Sequence, residues 1–404
     1  MSYIYSNKIQ YEDTFNLDAF GRLRTSGITS LLDVKSIHSK LALTVDEKGS
    51  GTYSSTLSNS SVVMTVSGTG SYVVRQTYKS APYQAGKSQI FEASFANFAT
   101  QSNVIKRVGY FSATFSSPYN SSFDGFFLES NGVTNAITFQ IWRDGTNVLT
   151  ATSSNWLTTD YDVSLFDWNK THLMITDFQW LGVGRLRFYM VIDGVPKLFY
   201  TNTGTNVLDQ VYMLRPNQPV RYEMRSIDSG SGTFSQICSG VSIEGAISDL
   251  QRFLGVWNTS TISLPSSGSI YPVLGVRLSE STNYLGVSGI IKLVDILQTS
   301  NDDYICTVQI NPILSSTSSW TSVTNTPIEY SQGNGTLTVG TQGSVVTSFL
   351  GRAGSLAQNK IEIDKSALSF GYGIDGNSVE WWVCIEPLST SSTFRTAITL
   401  EYYL

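Results

Sequence analysis

Apolar and polar positions alternate along most of this chain with a period of two. In Gly184–Tyr200 (GRLRFYMVIDGVPKLFY), Arg185 and Arg187 alternate with Leu186 and Phe188, the pattern of a strand with one wet and one dry face. Asp193-Gly194 follows, and such a dipeptide closes a two-residue hairpin because both central residues of a type I′ turn need φ > 0. The same design recurs at Asp144-Gly145, at Asp124-Gly125, and near Asp375-Gly376 with Asn377 next. Strand-sized runs between turns, with hardly a helical stretch, predict an all-β chain: two antiparallel β-sandwich domains, of jelly-roll or another type, with an extended N-terminal arm and little helix. The main exception is Ile247–Trp257 (ISDLQRFLGVW), where Ser248 is a candidate cap and Ile247, Leu250, Phe253 and Leu254 share one helical face. Residues 351–360 (GRAGSLAQNK) are a second, glycine-weakened helical candidate. A polar Gly/Ser stretch, residues 226–240, precedes the first. These features divide the chain into an arm (1–35), a first sandwich (36–245) and a second sandwich (246–404).

Composition agrees with this reading. Of 404 residues only 14 % are charged, while 21 Tyr and 20 Phe accompany abundant Ser, Thr, Asn and Gly; β-branched and aromatic residues suit pleated surfaces, and Gly and Asn close their turns. A net charge of −5 argues against nucleic acid as a partner, since that needs a basic stripe. Cys238, Cys306 and Cys384 are distant from one another and odd in number, which favours free thiols over a disulfide framework. The N-terminus lacks the apolar core of a secretory signal, and no run of about 18 apolar residues predicts a membrane span. Synthesis and folding in a reducing cytoplasm are expected.

Motifs for catalysis are sparse. His38 and His172 have no second His or Cys at ligand spacing. No G-x-S-x-G elbow, phosphate loop or EF-hand is present, so no catalytic residue, cofactor or metal is expected. The enzyme alternative is a sandwich glycosidase using paired carboxylates. Glu362 and Asp364 begin such a pattern but position 367 is Ala; Glu380 and Glu386 are six apart. Trp381 and Trp382, with Glu380, are candidate glycan contacts, against the plainer reading of a half-buried strand. The loop holding Trp156, Asp160, Asp162, Asp167 and Trp168 suits a sugar or Ca²⁺, against a polar loop that caps its own turns. Arg185, Arg187, Arg221, Glu223 and Arg225 predict cross-strand ion pairs.

Residues 14–27, TFNLDAFGRLRTSG, stand apart. Asp18 can cap a turn, Gly21 supplies a positive φ, and Arg22 and Arg24 offer forked donors for carboxylates or carbonyls. Phe15, Leu17, Phe20 and Leu23 are too apolar to stay solvated. Residues 18–26 (DAFGRLRTS) resemble the DAFGRLR signature near the N-terminus of a family of virion structural proteins from tailed phages and some large DNA viruses. Further blocks are similar in order: Val73–Phe95, RVGYF, DGFFLE, DFQWLGVGRLRFYMVIDG, Val211–Met224, YPVLGVRL and SNDDYICTVQINP. The resemblance implies a lectin-like sandwich followed by a second β domain, and a non-enzymatic place in the virion. Capsid surface, neck, tail and fibre all stay open. Other virion proteins are the expected partners, in a homo-oligomer with a trimer preferred. Receptor recognition through host surface glycans is the alternative. The arm is expected to lie on another subunit, with Phe15, Phe20 and Leu23 as anchors and Asp18, Arg22 and Arg24 completing the contact.

Overall fold

The computed structural model describes residues 16–113, 122–157, 161–163, 166–181, 184–203, 209–246, 251–265, 267–281, 285–300, 302–351, 358–363, 370–388 and 392–403. Among these there is no α-helix, and a short 3₁₀ turn spans Ser153–Asn155. The strands before residue 245 are β1 (Ile28–Lys35), β2 (Val45–Ser58), β3 (Ser61–Thr77), β4 (Gln89–Ala96), β5 (Val104–Ala113), β6 (Phe123–Asn131), β7 (Ala136–Arg143), β8 (Thr146–Thr152), β9 (His172–Phe178), β10 (Arg185–Ile192), β11 (Val195–Thr203), β12 (Val220–Ser226) and β13 (Ser231–Glu244). They form one antiparallel sheet in the order β11-β10-β9-β4-β13-β3-β12-β5-β6-β7-β8, with β1 added on β13 and β2 on β3.

This sheet doubles over into a sandwich. Rings from its two limbs meet inside: Phe126 of β6 lies 5.0 Å from Phe178 of β9, and Phe139 of β7 stacks on Phe188 of β10 at 4.8 Å. All four are fully buried, each worth roughly 1.5–3 kcal/mol of transfer free energy. Strand β3 belongs to both layers. Val62–Ser67 ladder with β13, and Tyr72–Gln76 ladder with β12. Gly68 (φ 81°) and Gly70 (φ 72°) lie between the two halves, in backbone conformations that residues with a Cβ rarely adopt.

The later strands are β14 (Gln251–Trp257), β15 (Ile262–Leu264), β16 (Tyr271–Leu278), β17 (Ser288–Gln298), β18 (Tyr304–Ile310), β19 (Ile313–Leu314), β20 (Thr321–Ser322), β21 (Ile328–Gln332), β22 (Val339–Thr341), β23 (Ser344–Gly351), β24 (Gln358–Glu362), β25 (Trp381–Pro387) and β26 (Ser392–Tyr403). One sheet runs β14-β26-β17-β24 with β15 on β26, a second runs β20-β21-β16-β25-β18-β23, and β19 pairs with β22. Their core is separate from the first: Val276, Val308 and Val383 of one sheet pack with Val294, Ile398 and Leu400 of the other, and Tyr304 meets Phe394 edge-on at 4.8 Å.

The two regions touch through polar contacts and small apolar ones, Tyr78 packing against the second core. Ile374 N donates to Asp46 Oδ2 (2.8 Å), Tyr372 N to Tyr78 O (3.2 Å), and Ser80 N to Ser288 Oγ (3.1 Å). Val74 packs on Ile374.

Two local expectations are corrected, and a third lies mostly outside the described residues. Residues 251–257 form strand β14, not a helix, while residues 247–250 lie outside the described residues. The window RFLGVW fits period two as well as 3.6, and a full antiparallel ladder with β26, from Gln251↔Tyr403 to Trp257↔Ala397, decides for the strand. Of the second helical candidate, residues 352–357 lie outside the described residues and 358–360 belong to β24. Asp124-Gly125 is not a turn but lies within β6, where Gly125 (φ 124°) faces Phe111 of β5; an added Cβ would come within 2.3 Å of Tyr110 O. By contrast, Asp144-Gly145 (φ 44°, 78°) and Asp193-Gly194 (φ 51°, 77°) turn as expected.

Candidate functional site

Two places concentrate polar chemistry. The first is built by the N-terminal segment. Leu17 bridges Leu23, Asp18 N donates to Arg22 O (2.8 Å), and Arg24 N donates to Asn16 O (2.9 Å), closing a tight loop. Gly21 (φ 78°) turns it. The buried Asp18 carboxylate accepts from Phe20 N (2.9 Å), Arg22 N (2.7 Å) and Arg22 Nε (2.6 Å).

This loop is clasped to its own chain. Arg185 N donates to Ala19 O (3.0 Å), and Ala19 N to Ser88 Oγ (3.2 Å). Arg24 lies between Asp177 (2.7 Å) and Glu244, and its Nε donates to Leu17 O (3.2 Å). Arg187, opposite Asp177 in the β9–β10 ladder, bonds both Asp177 and Leu17 O. Asp177 and Arg187 are wholly buried. Burial lifts the Glu244 carboxyl above its ordinary value; Arg24 opposes this, while Asp18 and Asp177 add to it.

The expectation that this segment lies on another subunit is therefore corrected for residues 16–35. They fold back on their own sandwich, and β1 is a strand of the main sheet. The buried apolar anchors are Leu17 and Ala19, whereas Phe20 (36 % exposed) and Leu23 (48 %) face outward. The donors and carbonyls of the loop already find partners on β10 and at Ser88, which draws it inward. Arg22 reaches Gly86 O (3.1 Å) and covers the Phe20 ring. Phe15 lies outside the described residues.

The second place is a crevice of about 510 Å³ where the two regions meet, lined by Asp46, Lys48 and Tyr78 from one and by Arg277, Glu280, Asp375 and Glu380, among others, from the other. Arg277 is held by Glu329 (2.9 Å) and Glu280 (3.0 Å), with Glu380 at 3.7 Å. Its guanidinium sits 4.6 Å above the centre of the Trp320 ring. Lys48 meets Asp375 at 3.3 Å. Burial lowers the Lys48 ammonium, but Asp46 and Asp375 more than offset this and hold it above its ordinary value.

Of the three candidate glycan contacts, only Glu380 reaches an open surface. Trp381 and Trp382 are fully buried, which corrects their assignment as stacking platforms. Trp381 points into the second core; Trp382 packs over Gly275, contacts Trp320 and donates Nε1 to Glu380 Oε2 (3.0 Å). Alternation put one Trp on each face of β25, and both faces are covered. Glu380 and Glu386 are not brought together, since six residues of strand span about 20 Å, beyond the ~5–9.5 Å of glycosidase pairs. Asp364 and Asp160 lie outside the described residues.

His172 is buried, its Nε2 2.9 Å from Asp167 O and its ring stacked on Phe166; His38 is exposed. Trp156 and Trp168 belong to the first core, and Asp167 caps its own turn through Asn169 N (3.0 Å). The cross-strand pairing expected of Glu223 takes the form of a buried row across three strands, Glu223–Arg107–Glu129, with 2.7 Å contacts and Arg221 bonded to Glu223; Arg107 and Glu129 are the members that sequence reasoning missed. The row's only trace in the sequence is charge at alternating strand positions, and the register that joins Arg107 to Glu223 is not legible there.

No protein-family model matches the chain, and no curated protein matches it in sequence. Solved structures similar to it include the carbohydrate recognition domain of Emp47p (11 % identity, 54 % of this chain and 97 % of that one, TM-score 0.36). The exoplasmic/lumenal domain of VIP36, solved with Ca²⁺ and Man3GlcNAc, is another (11 %, 55 % and 91 %, 0.36). Peanut lectin is a third (9 %, 55 % and 100 %, 0.37). Likenesses of this strength add nothing beyond the sandwich the strand order already defines.

Proposed function

We propose that the chain is a non-enzymatic structural protein of a virion, joined to its neighbours through the outer side of the N-terminal clasp. The observation that carries this reading is the clasp itself. Every charged residue of the DAFGRLR segment is used mechanically. Asp18 ties the loop, Arg22 braces it, and Arg24 bolts it to Asp177 and Glu244. The segment on which the virion resemblance rests thus serves architecture. It also leaves Phe20 and Leu23 partly exposed, apolar area that an assembled neighbour would cover.

The test is to produce particles with the wild-type chain and with a Phe20→Ser/Leu23→Ser variant, then quantify the chain in purified particles by mass spectrometry. The wild type is expected in particles, and the variant, with an unchanged melting temperature, is expected to be depleted from them. Absence of the wild-type chain from particles overturns the reading. A second reading, glycan recognition by the particle, is favoured by one observation: the polar crevice around Glu380.

A further inference from the structure

We infer that the crevice between the two β regions is a binding site for a short, uncharged oligosaccharide. The inference rests on the glycan reading above and narrows it to one place and one class of sugar. The volume, about 510 Å³, falls in the range of small-molecule sites, roughly 300–1,000 Å³.

The lining then decides the chemistry. Carboxylates outnumber cations four to two, as Asp46, Glu280, Asp375 and Glu380 against Lys48 and Arg277. An anionic ligand, phosphate or acidic sugar, would meet net repulsion and find both cations already engaged by carboxylates. A metal ion fits no better: among the described residues no three of His, Cys, Asp and Glu gather to hold one. What remains is a wall of carboxylates and amides. Glu280 uses Oε1 on Arg277, and Glu380 uses Oε2 on the Trp382 indole with Oε1 3.7 Å from Arg277. Asn311 and Asn377 add amide groups to the same wall, while the Ser378 hydroxyl is held by Leu278 N (2.9 Å).

Vicinal hydroxyls, each both donor and acceptor, match such a wall, and charge-assisted bonds to carboxylates are the strong ones. Because the residues come from both regions, a bound sugar would also tie them together. Binding to the joined state raises the melting temperature by mass action.

Calorimetry of the full chain against free disaccharides tests this, with lactose, maltose, mannobiose and chitobiose as the neutral arm. Sialyllactose and a sulfated glycosaminoglycan disaccharide form the acidic arm. At least one neutral sugar is expected to bind and raise the melting temperature. Glu280→Gln and Glu380→Gln are each expected to weaken it about tenfold; glutamine keeps the oxygen that Trp382 needs, and thermal melts of the free variants check folding. Preference for the acidic arm, or neutral binding unchanged in both variants, overturns the inference while glycan recognition stands. No binding in either arm overturns both.

Discussion

At the scale of single residues, Asp177 is the centre of the clasp. It has no exposure and faces two guanidiniums, Arg24 and Arg187. Asp177→Asn leaves buried positive charge uncompensated, and a loss of about 3–5 kcal/mol is expected in urea unfolding. Arg22→Ala, whose side chain is 58 % exposed, should cost under about 1 kcal/mol in the same assay. Lys106 gives a pH signature. Burial pushes its ammonium down to about 7, while its Nζ donates to Asn97 O and Ala99 O. The unfolded chain, with an ordinary lysine near 10.4, then binds more protons between those two values. Stability from this group should therefore rise as pH climbs from about 7 toward 10 and stay flat below, with a slope of at most about 1.4 kcal/mol per pH unit. Denaturation of wild type and Lys106→Met across that window checks it: the methionine variant should lack that component of the slope. The charges of residues 18–24 are legible in sequence as a group that needs partners. Their partners are not, because Arg24 and Glu244 are 220 positions apart and only the fold brings them together.

At the scale of elements, what is legible is what the local chain determines. Asp144-Gly145 and Asp193-Gly194 are hairpins because neighbouring strands of matching alternation flank them. Asp124-Gly125 has the same letters, but β6 runs through it to pair with β5 and β7 on either side. Gly125 there answers to the close approach of β5 and not to a turn. Gly125→Ala should lower the melting temperature sharply, through a Cβ against Tyr110 O at a positive φ, whereas Gly194→Ala, with nothing within 4 Å, carries only the backbone cost. Strand β14 was hidden for the opposite reason: a seven-residue window fits two periods, and only its partner β26 separates them. The clasp behaves as an element too. Deleting residues 1–24 removes Leu17, Asp18 and Arg24, so the sandwich should still fold but melt earlier. Hydrogen exchange should accelerate in β9, β10 and the end of β13, where their contacts end. Unchanged exchange in those strands would show that the loop contributes nothing to them.

At the scale of the whole molecule, two cores are joined by contacts in which Asp46 is prominent, accepting from Ile374 N beside the Val74–Ile374 contact. Asp46→Ala should loosen the join without entering either core, and differential scanning calorimetry should then resolve two heat-absorption peaks further apart than in the wild type. The all-β sandwich character of the chain was readable from alternation, whereas the crevice was not, since it exists only where Asp46 and Lys48 of β2 meet Arg277 of β16 and residues 375–380, distant in the chain. Within the first region, the seventeen residues of β3 belong to the ladders of both layers. Sliding one layer across the other would therefore shear two hydrogen-bond rows along a single unbroken chain, beyond separating a pair of greasy faces. Under tension such a body should not peel layer from layer. It should bear load as a unit and give way in one rupture, the response of a rivet and not of a hinge.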